Sequence, residues 1–496
     1  MTTMAPRDAT MFWLSRRSAN DVFLLYCFAE TVTTTAELRA FLGARSAGIP
    51  ELRIRVREIP GNLDYPRWEP AEFTSQQFVH HRPAGLRWPV LLDRVGDLLG
   101  TAVDATESAW RVHVFRQVLD APAATGPVLV AVLQVSHALA DGTRAATLAR
   151  QLFTASEVIP RGPGVVVDNS ANPPVKPVKT PAQPVDYRGR ICVRSVGTGG
   201  VRVLGALSFP QRVVRTAWRG RAAYLAQREL AERTARGEVP AATTGFAPSA
   251  LNPAERVGVF DHRVRMLVVD AARMRVPGRT VTVVALTAIS QALSRYLGER
   301  GARPARLGTA LPMALPGAST AHNHYRGLSI DLHIDEPDLA RRAALIADDL
   351  ASRRERALNP LLDSQNRVGD MVPAALAARD VARAELDSVP DALDGNTVVS
   401  SVYRGAADLA FADAPVLFTG GFPALGTVMH LTHGVHGIGE TIALSVHFDV
   451  AVLADPDRYL ELLAEALAAV VAAHHPETGR ADPAASSRAP SERGTR

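Results

Sequence analysis

Cysteine is nearly absent from this chain: Cys27 and Cys192 are the only two in 496 residues, far apart and outside any metal-ligand or redox spacing. A disulfide framework is thereby excluded, and two isolated thiols fit a reducing compartment and a role as buried filler. Long apolar runs are missing too. No stretch approaches the roughly 18–20 residues that a membrane-spanning helix needs. The opening MTTMAPRDATMFWLSRR lacks the basic head and sustained apolar run of a secretory signal. The expected location is cytoplasmic, with peripheral attachment to a membrane or lipid inclusion left open. A dominant charge is lacking as well. The formal net charge of +5 is small for this length, and no nucleic-acid motif accompanies the basic residues, so nucleic acid is not an expected partner.

What is present is an enzyme-sized globular composition, 47% hydrophobic and 21% charged, long enough for two domains with cores of their own. Short strands are expected at Val22–Ala29 and Arg53–Val56, around a helical pattern from Ala36 to Ala44. A helix over Val90–Leu99 leads into the strand-like Trp110–Gln117. The unbroken, Val-rich run Val128–Val135 then has the character of a strand buried on both faces. After a helix from Thr143, seven prolines between Pro160 and Pro184 mark a linker. An arginine-rich helical segment, Gln211–Arg236, follows, read either as a solvated bridge between domains or as a surface for anionic lipid. The second half repeats the mixed texture: strands at Val264–Val269, Leu328–His333, Val398–Tyr403 and Ile442–Val450, with helices at Val283–Tyr296, Leu339–Arg354 and Pro456–Ala473. The expected division is an N-terminal unit over 1–157, linker and basic helix over 158–240, a C-terminal unit over 241–475, and a disordered tail over 476–496.

The chemistry is concentrated in SHALADG, which places His137 just past the buried strand, with Asp141 four residues on and Gly142 after it. A neutral imidazole, with a reference pKa near ~6.5, can take the proton of an acceptor hydroxyl as its oxygen attacks an acyl carbonyl. Asp141 has the chemistry of a base too. An aspartate beside glycine at a strand-to-helix turn more often fixes the loop, so its expected role is to position His137.

With this motif in its setting, the chain resembles the bacterial wax ester synthase and acyl-CoA:diacylglycerol acyltransferase family, within the superfamily of condensation domains and chloramphenicol acetyltransferase. The resemblance runs through RDATMFWL, YPRWEPAEF, SAWRVHVF, SHALADG, SALNP, NHYRGLSIDL and VVSSV, in the family's order and spacing. It implies an α+β fold of two chloramphenicol-acetyltransferase-like subdomains, each a mixed sheet with helices. It also implies His137 as general base between the halves, Asp141 and Gly142 shaping the turn, and a tunnel that admits acyl-CoA and an alcohol from opposite ends. Asn252 in SALNP, Asn323 in NHYRG and Ser401 in VVSSV are the further motif or substrate-contact positions. The expected reaction moves a long-chain acyl group from acyl-CoA to diacylglycerol or a fatty alcohol. No cofactor and no metal are expected, acyl-CoA being a substrate. The alternatives are a condensation-type acyltransferase acting on a specialised metabolite or carrier-bound acyl group, and a catalytically weakened lipid-binding homologue.

Three departures from the family pattern motivate the last alternative. Ser136 stands where the first histidine of HHxxxDG would be, Thr282 and Val283 replace an Asn-Asp pair, and Ser401 replaces an asparagine. Other histidines invite functional readings. The pair His80–His81 lacks a following Asp-Gly, and His322 and His324 flank Asn323 in an element that the family uses for packing or pocket lining. His430, His433 and His436 recur every third residue, but Gly434, Gly437 and Gly439 argue for a turn between strands in which three imidazoles need not converge.

Overall fold

A computed structural model describes residues 1–154, 219–253 and 260–474. The Pro-rich linker, Cys192, the start of the basic segment (211–218) and the expected tail lie outside the described residues. The described residues form two six-stranded mixed sheets and one small three-stranded sheet. The small one joins β1 (Thr2–Thr3), β3 (Ile54–Arg57) and β4 (Arg67–Pro70). The first large sheet contains β2 (Val22–Ala29), β5 (Phe78–His80), β6 (Trp110–Val118), β7 (Val128–Val135), β12 (Ala410–Phe411) and β13 (Ala414–Phe422), in the order β12-β13-β2-β7-β6-β5. The second is built from β8 (His262–Asp270), β9 (Gly308–Ala314), β10 (Tyr325–Asp331), β11 (Thr397–Tyr403), β14 (Leu431–Ile438) and β15 (Thr441–Asp449), in the order β10-β9-β11-β14-β15-β8.

The β7 strand is buried at every position because its sheet is covered on both faces. Leu24, Tyr26 and Phe28 of β2, with Leu129, Ala131 and Leu133 of β7, point into one layer, where α4 (Gly142–Phe153) contributes Leu148, Leu152 and Phe153. Phe23, Leu25 and Cys27, with Val130 and Val132, point the other way, onto α3 (Trp88–Leu99) and β8. Each such aliphatic side chain contributes about 1.5–3 kcal/mol by leaving water. The first sheet thus uses the strict period of two to fill two cores. In the second half α6 (Val281–Glu299), most of it buried, is enclosed by the second sheet, α7 (Leu339–Ala357) and α10 (Pro456–His474). Residues 219–235 are helical and leave Tyr224 and Leu225 exposed. No helix among the described residues is long and apolar enough to cross a membrane.

Strand β13 departs from the sequence division, for it comes from the second half yet pairs with β2 in the first sheet, from Val416↔Phe28 to Phe422↔Phe23. Its glycines resemble turn signals, but they admit the neighbouring sheet. A Cβ at Gly421 would lie 2.8 Å from the Arg404 guanidinium and 2.9 Å from His436 Cε1, and one at Gly434 would lie 2.3 Å from the Gly421 carbonyl oxygen. The halves meet where these backbones nearly touch. The expected turn over His430–His436 is overturned for the same reason: residues 431–438 form strand β14, and the reversal falls at Gly439, whose φ is +53°.

Candidate active site

The strand β7 ends at Val135, and the chain turns tightly through Ser136–Ala140, where the Leu139 amide donates to the Ser136 carbonyl at 2.8 Å. Asp141 then caps α4, its Oδ1 accepting from the Arg144 amide at 2.9 Å, while its Oδ2 accepts from the His324 amide at 3.0 Å. One carboxylate therefore closes the motif turn and ties it to the NHYRG segment of the second half. Ser136 is buried, and its hydroxyl lies 3.4 Å from the Ala138 amide inside the same turn.

His137 Nδ1 lies 2.8 Å from Asn323 Oδ1. The other end of the Asn323 amide donates to the His137 carbonyl at 2.7 Å and to Asp8 Oδ1 at 2.9 Å, so its oxygen is the atom turned toward the imidazole. Nδ1 must then carry the proton, and the lone pair of the neutral ring sits on Nε2, which no described protein group engages. His137 lies deep among protein atoms yet is only half-buried. Burial lowers its pKa, opposed by hydrogen bonding to its own backbone and Asn323 and by the charge of Asp141. The ring is therefore neutral at pH 7 and can accept a proton. Tyr325 stands beside it, ring centroids 6.1 Å apart, with the Arg7 guanidinium 5.8 Å from the Tyr325 ring.

Sequence reasoning placed His137, Asp141, Gly142 and Asn323, and the structure brings these four together. It missed Asp8, a fully buried aspartate in α1 (Pro6–Leu14), inside the RDATMFWL landmark. An acid two positions into an otherwise apolar helical face was the available signal. The remaining positions have other partners. Asn252 is buried with its amide committed to the carbonyls of Asn396 and Val428 and its oxygen to the Asn396 side chain. Ser401 is 2.8 Å from Thr282, so two of the departures from the family pattern meet each other. His322 stacks on Trp68, and burial brings its pKa down to about 4, while the His324 ring is 3.4 Å from the Pro316 carbonyl. His81 pairs with His113 at 3.0 Å. His430 faces Asp449, His433 lies between Thr397 and the Tyr459 hydroxyl, and His436 packs near Arg404, so the three imidazoles do not converge. Among the described residues, no three His, Cys, Asp or Glu side chains are grouped to hold a metal ion.

Comparison with known proteins places this geometry. The wax ester synthase/diacylglycerol acyltransferase from Marinobacter aquaeolei VT8 superposes with a TM-score of 0.58 at 16% identity, over 95% of this chain and 98% of that one. The starter condensation domain of rhizomide synthetase, in complex with C8-CoA and Leu-SNAC, gives 0.53 at 12% identity over 95% and 94%. The first condensation domain of the calcium-dependent antibiotic synthetase gives 0.53 at 13% over 96% of each. These likenesses establish the two-subdomain fold. No curated protein matches the sequence. Residues 4–265 match the wax ester synthase/diacylglycerol acyltransferase catalytic domain, more than half of the chain. With the motif turn, its histidine and the two-sheet architecture in place, the chain belongs to the wax ester synthase/diacylglycerol acyltransferase family.

Proposed function

We propose that the protein transfers a long-chain acyl group from coenzyme A to the hydroxyl of diacylglycerol or a fatty alcohol, giving triacylglycerol or a wax ester, with His137 as general base. The observation that carries this reading is the free Nε2 of a neutral, deep yet accessible imidazole whose Nδ1 proton is held by Asn323. As the hydroxyl oxygen attacks the thioester carbon, its proton passes to Nε2 and the carbonyl electrons move onto oxygen. The tetrahedral oxyanion then collapses, the C–S bond breaks, and the proton returns from Nε2 to the departing thiolate. Direct attack needs no covalent acyl-enzyme, no cofactor and no metal. Asp141 and Gly142 shape the turn that presents the base, and charge developing on the oxyanion is best stabilised by preorganised donors in a water-poor setting. The capture of C8-CoA by a condensation domain of this fold supports acyl-CoA as the donor. Exposed Tyr224 and Leu225 on the basic helix support a peripheral encounter with lipid.

Thiol release from palmitoyl-CoA by the purified protein tests this, with diacylglycerol or hexadecanol added separately and His137→Ala run in parallel. Release that requires an acceptor and disappears in the variant is the expected result. Equal rates in the variant would remove His137 from the chemistry. Silence with both alcohols, but turnover with an amine or carrier-bound acyl group, would favour the condensation-type reading, which the Leu-SNAC complex of the same fold supports.

A further inference from the structure

We propose that Asp8 is a positioning residue for this site, holding the Asn323 amide in the single orientation that keeps His137 protonated on Nδ1 and basic at Nε2. The argument starts from what an amide cannot decide alone. Its oxygen and nitrogen ends have nearly the same shape, and either could face the imidazole. Asp8 breaks that symmetry. It is fully buried and presents acceptor oxygens, accepting from the His322 amide at 2.8 Å, the Asn323 amide at 2.9 Å and the Asn323 side-chain Nδ2 at 2.9 Å. The same Nδ2 donates to the His137 carbonyl at 2.7 Å. With the amide reversed, its oxygen would face a carboxylate and a carbonyl, and two buried acceptors would lose their donor, at a cost typical of unsatisfied buried groups.

The chain carboxylate, amide, imidazole thus runs from α1 through the NHYRG segment to the end of β7, across the meeting of the halves. In the opposite tautomer, Nε2 carries hydrogen and cannot accept the hydroxyl proton. Once Nε2 has taken that proton, the imidazolium keeps its Nδ1–H on an amide oxygen polarised by the Asp8 charge behind it. Burial raises the pKa of Asp8, and the three N–H donors work against that rise, favouring the anion. Other charged or titratable groups near His137 are Asp141 in its own turn, His322 against the Leu139 backbone of that turn, Tyr325 on β10, and Arg7, Arg144 and Glu51 beyond them. None of these groups hydrogen-bonds the Asn323 side chain, so Asp8 is the one charged group that fixes its orientation, together with the His137 carbonyl.

The consequence for turnover rests on the acyl-transfer reading, whereas the tautomer does not. Histidine nitrogen NMR on the full-length, 15N-histidine-labelled protein therefore tests the proposal first, with the His137 signals identified by their loss in His137→Gln. The expected wild-type pattern is protonated Nδ1 and bare Nε2. In Asp8→Asn that pattern should convert to Nε2–H or a mixture. The kcat for acyl transfer should fall on the order of 10²-fold with the KM for palmitoyl-CoA unchanged, and the acid limb of the rate profile should move to lower pH. A wild-type His137 protonated on Nε2 overturns the proposal, and this reading does not depend on whether Asp8→Asn folds. An unchanged tautomer in folded Asp8→Asn also overturns it, whatever the rate. The expected tautomer in a wild-type protein without acyl transfer would uphold the positioning role and sink the acyl-transfer reading instead.

Discussion

Replacing Gly142 by alanine separates two reasons for a glycine in the motif. Glycine is usually required by a left-handed backbone or by close approach of other atoms. Neither applies here: Gly142 is the first residue of α4, its φ is not positive, and a Cβ built on it meets no atom within 4 Å. Protein packing alone therefore tolerates a methyl group. Removing glycine's freedom in the unfolded chain should raise stability by about 0.4–1 kcal/mol. The open side of Gly142 adjoins the turn that presents His137, the space that a substrate of the proposed reaction would need. A methyl group intruding there should cost about 1–3 kcal/mol, a loss of roughly 5- to 150-fold in kcat/KM. Urea unfolding followed by circular dichroism gives the first quantity, and thiol release from palmitoyl-CoA gives the second. A Gly142→Ala protein destabilised by more than about 1 kcal/mol would refute the packing argument. A stabilised variant with unaltered kinetics would refute the substrate-space argument.

Three other expectations follow from different parts of the fold. Gly434→Ala should destabilise by at least about 2 kcal/mol, because its methyl would meet the Gly421 carbonyl oxygen at 2.3 Å. Gly437→Ala, whose nearest neighbour is the exposed Tyr403 ring at 3.2 Å, should be far milder in the same urea titration. Asn252→Ala and Asn396→Ala should each cost about 1–3 kcal/mol by orphaning the partner amide. The double variant should lose less than the sum, and the KM for acyl-CoA should not move, as a double-mutant cycle with kinetics would show. Acidification from pH 7 to 5 should weaken the fold by several kcal/mol. Burial depresses His113 to about 4 and both His433 and His447 to about 3, so the unfolded chain takes up protons below ~6.5 that the native state refuses. Asp21, raised to about 6 by burial, acts oppositely: it binds its proton first in the native state and offsets about 1 kcal/mol. Urea midpoints that stay flat between pH 7 and 5 would contradict this balance.

The site was legible where chemistry and position coincide in a short motif. His137 follows a strand whose unbroken apolar run announces its burial, and Asp141 precedes a helix, where a carboxylate naturally caps. Asn323 was reached through the family's order of landmarks. Asp8 was not, because its place on the Ala9, Phe12 and Trp13 face of α1 hints at burial but its partners lie more than 300 residues away. The regular elements with a single clear period were read within a few residues, as with β2, β7 and α10. The β14 stretch reads as a turn and β13 drew no assignment, because both carry glycines whose missing side chains make sense only once the opposing sheet is present to occupy that space. The departures at Thr282 and Ser401 read as two separate losses in sequence. In space they are one hydrogen-bonded pair, so a small hydroxyl contact stands where the family carries larger polar groups.

Strand β13 also bears on how the protein is made. Before residues 414–422 leave the ribosome, β2 has only β7 beside it, and its other edge presents an unpaired row of amides and carbonyls next to an apolar face. Such an edge is a template for wrong partners. The unit that carries His137 is thus completed by a segment translated more than 270 residues later, and folding of the first half must wait for near-completion of synthesis. Expression of residues 1–157 alone should yield an aggregating fragment, whereas co-expression with the remainder should recover soluble protein by strand complementation.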